Sequence, residues 1–152
     1  MYFNHYFPRS IIYIQNNNII RIANFADFEK IVYFIKKHSL CKVEQLIDVT
    51  AVDYINKKYR FEVAYQFLSI ICNKRITLVI SLIEIQSLNS ISSIYSSAEW
   101  YEREIWDIFG IYFTQNKDLR RILTNYGFVG HPLRKDFPVV GFNSDISLNL
   151  KG

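Results

Sequence analysis

The placement of the glycines limits this chain more than any other feature. They stand at positions 110, 127, 130, 141 and 152, so the first 109 residues contain none. Glycine is the default residue wherever backbone must turn left-handed or approach another group closely. A stretch without it is built from regular elements joined by turns that other residues tolerate. It also has no Gly-x-Gly-x-x-Gly fingerprint and no glycine-rich phosphate loop. Two of the three prolines, Pro132 and Pro138, fall in the last third as well. The chain therefore divides near Gly110, with a regular domain over residues 1–110 and a turn-rich, extended arm over residues 111–152.

Within the first part, Ser10–Gln15 and Asn18–Ile22 read as short strands around an Asn-rich turn. Phe25, Phe28, Ile31, Val32 and Ile35 recur at helical spacing, which predicts an amphipathic helix over 25–38 with Asn24 as N-cap. "VEQLIDVTAVDY", "YRFEVAYQFLSI" and "KRITLVISLIE" then read as strands joined by short polar turns. Short connections favour antiparallel pairing. The expected fold class is α+β: a mostly antiparallel or mixed sheet, covered by helices on one face and followed by the arm.

A second helix runs from Ser96 to Gly110. Ser96 and Glu99 have the spacing of a capping box, and Gly110 is a natural stop. At 100° per residue Ala98, Tyr101, Ile105, Ile108 and Phe109 share the core face. Trp100, Arg103, Glu104 and Asp107 fall on the opposite side. Two readings fit that side. It is a second dry face for a neighbouring protein, since Trp and Arg dominate binding hot spots. Alternatively, the Trp lies over its own loop beside an Arg103–Asp107 pair.

The remaining chemistry is excluded one class at a time. Glu102 and Glu104 point about 200° apart on a helix, so they are not a carboxylate pair. No Glu-x-x-His, Gly-x-Ser-x-Gly or reactive-cysteine motif occurs. His5, His38 and His131 are scattered. Two cysteines, Cys41 and Cys72, are too few for a four-thiolate cluster and read as buried thiols in a reducing compartment. The longest apolar run, Ile76 to Ile83, is too short to span a membrane. The net charge of +4 is thinly spread. A small RNA-binding domain, with sheet aromatics stacking bases, is the alternative reading, but the charge excess is small for it.

After the helix, "DLRRILTNYGFVGHPLRKDFP" mixes apolar Tyr126, Phe128, Leu133 and Phe137 with Arg120, Arg121, Arg134 and Lys135. Asp118 is placed to cap a short helical turn over Leu119–Leu123. A long irregular segment in a compact domain points to function. It reads either as an arm lying on another subunit or as a surface loop clamped by its own core.

"EWYEREIWDIFGI" followed by "DLRRILTNYGFVGHPLRKDFPVVGF" resembles the 30-kilodalton subunit family of respiratory complex I, the proton-pumping NADH:ubiquinone oxidoreductase. The family's Glu-Arg-Glu-x-x-Asp hallmark is matched by Glu102, Arg103, Glu104 and Asp107. Its later block is matched by Arg120–Thr124, Tyr126–Phe128 and Gly130–Pro138. "DVTAVDY" and "RFEVAYQFLS" also resemble it, so the likeness covers roughly residues 45–142. The chain departs from the family pattern at Asn116-Lys117, Asn125 and Val129, and ends at Gly152 where relatives often continue, which predicts a smaller docking area.

The resemblance implies a structural subunit of the peripheral arm, in the quinone-reducing module, bound to the 49-kilodalton subunit and its neighbours. It implies no cofactor and no catalytic centre on this chain; FMN, iron–sulfur clusters and ubiquinone belong to the assembly. The expected partner surface is Trp100, Arg103, Glu104, Asp107, Arg120, Arg121, Tyr126, Phe128, His131, Arg134, Lys135 and Phe137. The expected place is the matrix side of the mitochondrial inner membrane, or the cytoplasmic face in a bacterium. The Ile- and Asn-rich composition and the lack of a transit-peptide pattern suggest a copy made inside the organelle.

Overall fold

Strand β4 (Phe61–Ser69) fixes which way the sheet faces. Phe61, Val63, Tyr65 and Phe67 are buried, while Glu62, Ala64, Gln66 and Leu68 alternate toward the other side. The computed structural model describes residues 11–15 and 18–138. Ser10, the first two asparagines of the predicted turn and the arm beyond Pro138 lie outside them.

The sheet also contains β1 (Ile11–Gln15), β2 (Ile19–Ile22), β3 (Gln45–Asp53) and β5 (Lys74–Leu82), in the order β1-β2-β5-β4-β3. Three pairings are antiparallel, as short turns require. The exception is β2 beside β5, which run parallel. Between β2 and β3 the chain makes a helix, and that crossover carries it to the far edge. The meander β3–β4–β5 then returns to β2 with matching direction. The sheet is therefore mixed, and the fold is α+β.

The first helix, α1 (Phe28–Lys37), is shorter than predicted. Residues Phe25–Asp27 form a 3-10 turn instead, capped by Asn24, whose side chain accepts from the Ala26 amide. Phe25 is consequently exposed, while Phe28, Ile31, Val32 and Ile35 are buried as the spacing predicts. Phe28 lies against Tyr65, with ring centroids 4.7 Å apart, and Phe67 lies 5.4 Å from Tyr95.

The second helix, α2 (Ala98–Phe109), adds Ala98, Ile105 and Phe109 to the same core. Its expected capping box is not formed. Ser97 occupies the cap with helical backbone angles and makes no side-chain cap bond. A capping serine needs extended angles to aim its oxygen at the next turn. Two short strands, β6 (Leu88–Asn89) and β7 (Phe113–Thr114), pair parallel and tie the chain entering α2 to the chain leaving it.

The aromatics of β4 lie on the buried face, under the helices. The open side of that strand shows Glu62, Ala64, Gln66 and Leu68. That side of β4 carries no aromatic on which a base could stack.

One polar atom in the core has no partner among the described residues, the Tyr65 hydroxyl. Burial holds that phenol well above its ordinary pKa. A buried unsatisfied hydroxyl costs on the order of 1 kcal/mol or more. Tyr65→Phe is therefore expected to leave the urea midpoint unchanged or raise it. A clear fall would reveal a trapped water bonded to the hydroxyl.

Candidate functional site

Three buried carboxylates hold the irregular segment that follows α2. The first is Glu102, fully buried in the middle of the helix. It accepts from Ser90 Oγ at 2.6 Å, the Ile91 amide at 2.9 Å and Asn116 Nδ2 at 2.8 Å. Burial raises its pKa, and those three donors pull the other way. Asn116 stands where the family pattern differs, yet it supplies a donor here.

Asp107 is the second, with no exposed side-chain surface. Its Oδ2 accepts from the successive amides of Ile122, Leu123 and Thr124, at 3.1, 2.8 and 2.9 Å. Its Oδ1 accepts from Thr124 Oγ1 at 2.5 Å and from Arg121 at 2.7 Å. Burial alone would raise this pKa. The hydrogen bonds from Thr124, Ile122 and Leu123 outweigh it and hold the carboxyl well below the usual range. The predicted helical turn at Leu119–Leu123 is absent because these amides converge on Asp107. Asp118, expected to cap that turn, pairs with Arg120 instead.

The third carboxylate is Asp53, at the end of β3. Arg60 grips it with two bonds of 2.9 and 3.0 Å, and the Lys135 amide donates to it at 2.9 Å. The Arg60 bonds lower the Asp53 pKa despite burial. Arg60 also reaches Glu84 at 2.9 Å and Asp136 at 2.8 Å.

The same segment completes the helix end. An α-helix leaves its last carbonyls without intrahelical partners. Here His131 Nδ1 meets the Asp107 carbonyl at 2.9 Å, the Leu133 amide donates to the Ile108 carbonyl at 3.1 Å and Arg134 Nε donates to the Phe109 carbonyl at 2.7 Å. The Leu133 bond fixes the arm over the last turn just where Gly110 takes a left-handed φ of 75° and ends the helix. A Cβ at Gly110 would stand 2.5 Å from the His131 ring.

The expected site residues therefore divide. Arg121, His131 and Arg134 turn inward onto the chain's own helix, and Lys135 contributes its backbone. Phe128 and Phe137 face each other at 5.8 Å, with the Phe137 ring over Gly130. Asp107 does not lie on an open outer side, because the chain's own arm covers it. No Arg103–Asp107 pair forms; Asp107 binds Arg121. Arg103 stacks on Trp100 at 4.9 Å, donates to the Arg120 carbonyl at 3.3 Å, and is already mostly covered, with 12% of its side chain exposed.

What remains outside is Trp100, Glu104, Arg120, Tyr126 and the Lys135 side chain. Trp100 is 60% exposed and Tyr126 is fully exposed. A cleft of about 580 Å³ opens between α2 and the arm, lined by Arg103, Trp106, Leu119, Arg120, Arg121 and Tyr126 among others.

Sequence reasoning missed Glu102, Asp53, Arg60 and Glu84 as structural anchors. Glu102 was visible in principle, since it lies four residues after Ala98 and three before Ile105, on the core stripe. The cysteines, expected as buried thiols, are half-buried. Among the described residues no His, Cys, Asp or Glu group is arranged to hold a metal, and no helix is long and apolar enough to cross a membrane.

The family model described as respiratory-chain NADH dehydrogenase, 30 Kd subunit, matches residues 22–143. The chain belongs to this family. It is similar to the C subunit of NADH-quinone oxidoreductase from Ruegeria pomeroyi, 50% identical over 79% of this chain and 58% of the relative. NADH-ubiquinone oxidoreductase subunit 9 of Prototheca wickerhamii is 50% identical over 72% of this chain and 57% of the relative. NADH dehydrogenase (ubiquinone) iron-sulfur protein 3 of Solanum tuberosum is 51% identical over the same shares, 72% and 57%. The chain thus spans a little over half the length of these complex I relatives, which come from both bacteria and plants or algae.

Two outcomes are expected. Because the folded pKa of Asp107 is lowered, its contribution is complete above its unfolded value near pH ~4 and is lost as pH falls further. Asp107→Asn should cost about 3 kcal/mol at neutral pH and flatten the acid limb of a fluorescence-monitored unfolding titration. An unchanged acid limb would mean that the arm is held elsewhere. Gly110→Ala should lower the melting temperature through left-handed strain of roughly 1 kcal/mol plus the His131 clash; equal melting would contradict the close contact.

Proposed function

We propose that this chain is a core structural subunit of the peripheral arm of respiratory complex I. In this reading it sits in the quinone-reducing module and binds the 49-kilodalton subunit. It supports electron transfer from NADH to ubiquinone by keeping neighbouring subunits in register. FMN, iron–sulfur clusters and quinone are held by other subunits. The two cysteines of this chain fall short of a four-thiolate set, although the plant relatives carry an iron-sulfur name.

One observation carries the proposal. The arm spends its buried polar groups on its own domain, while Tyr126 stays in solvent on the arginine-lined cleft and Trp100 stays in solvent outside it, against Arg103. A domain folding for itself alone gains nothing from a fully exposed tyrosine there. Aromatic and arginine side chains around a concave surface are the composition of a binding hot spot. The outward set is Trp100, Glu104, Arg120, Tyr126 and Lys135. The inward set shapes the arm that presents it. The place of action is the membrane-attached complex, on the matrix side in mitochondria or the cytoplasmic side in bacteria.

The test is recovery of partners from a detergent extract on native gels. The chain is expected in a large NADH-oxidising assembly, together with a 49-kilodalton polypeptide. A double variant, Trp100→Ala with Tyr126→Ala, should melt at nearly the parent temperature. It should lose most of the recovered partner, since truncating hot-spot anchors weakens binding about thirtyfold or more. Recovery only as a free monomer would overturn the assignment. Full partner recovery by the double variant would overturn the surface.

A further inference from the structure

Two turns that carry cysteines far apart in sequence meet at one end of the sheet. Cys41 lies in the turn after α1, where the amides of Cys41 and Lys42 both bond to the His38 carbonyl at 3.0 Å. Cys72 lies in the β4–β5 hairpin, where its amide donates to Ser69 Oγ at 3.3 Å. The two turns touch. Cys72 Sγ is 3.8 Å from the Leu40 carbonyl oxygen, and that carbonyl belongs to the peptide bond leading into Cys41. Cys41 Sγ is itself 4.0 Å from His38 Nδ1. Both cysteines are unbridged and half-buried, so small reagents reach them. Positive φ angles at Lys42 and Asn73, 42° and 46°, mark tight turns that hold both cysteine backbones in place.

We propose that Cys41 and Cys72 are a reversible disulfide site that staples the turn after α1 to the β4–β5 hairpin, with a low-molecular-weight disulfide as the oxidant. The Cys72 thiolate attacks one sulfur of the oxidant, forming a mixed disulfide and expelling one thiolate. The Cys41 thiolate then attacks Cys72 Sγ, closing the protein disulfide and expelling the second thiolate. The protein loses two protons and two electrons, and the oxidant becomes two thiols. The order follows from the surroundings of Cys41. Burial, and then the negative charge of Cys72, push the Cys41 thiol up. Once Cys72 is in the mixed disulfide that charge is gone, and Cys41 ionises more readily.

The bond would restrain the unfolded chain across the whole of β3 and β4, so it should raise the melting temperature. The experiment equilibrates the full chain with glutathione and glutathione disulfide, quenches with acid, alkylates and maps peptides. The expected product is one cross-linked peptide pair holding Cys41 and Cys72, lighter by two hydrogens than the reduced pair. It should melt higher than the reduced protein by on the order of 5 °C. Cys41→Ser should trap a glutathione adduct at Cys72 and abolish the shift; Cys72→Ser should abolish it too. Free thiols under oxidising buffer, adducts without closure in the parent chain, or bridges only between copies would each overturn the proposal.

Discussion

The Asp107 carboxylate is the point on which the rest of the structure depends. A charged group with no solvent contact is stable only when its lone pairs are filled. Here three successive amides, one hydroxyl and one guanidinium fill them. The arrangement works in both directions. The segment at Ile122–Thr124 has no helix or strand to receive its amides, so Asp107 receives them. Without the arm, Asp107 would be an exposed acid near the negative end of a helix, an unfavourable place for it. Each half of the contact removes the other's electrostatic defect.

The same logic repeats at Glu102 and Asp53. Each acid sits on a regular element and accepts from a segment that has no regular structure of its own. Arg60 and Arg134 meet at Glu84 and flank the Phe61 ring, with guanidinium carbons 5.2 and 5.3 Å from its centre. Residues distant in sequence, from β3, β4 and the arm, are thereby joined at one corner of the sheet. The segment through Pro138 is held by acids on the regular elements and by its own Arg121, Thr124, His131 and Arg134 side chains.

The fold was legible where periodicity carried it. Alternation over β4 and the buried spacing of α1 gave the sheet, the first helix and their facing sides. The parallel β2–β5 pairing was less legible, because strand order depends on where the crossover lands and not on any local pattern. The capping box at Ser96 and Glu99 misled, since the backbone at Ser97 is already helical. Wheel geometry put Asp107 opposite the core, but a wheel treats that side as solvent. It cannot register a later segment folding back over it. Glu102 was hidden by its polarity, although its position on the core stripe was plain. The motif residues of α2 and the arm do gather in one region; their division into inward and outward sets follows from how the arm folds back over α2, which no local pattern encodes.

The helix end also has a consequence for biosynthesis. The carbonyls of Asp107, Ile108 and Phe109 find their partners in residues His131, Leu133 and Arg134. Those partners are translated later than the helix they complete. On the ribosome, α2 therefore emerges with its C-terminal end and its buried acid still open to water. The domain reaches its final form only when the arm has cleared the exit tunnel, and a chaperone reading nascent chains would meet this helix unfinished.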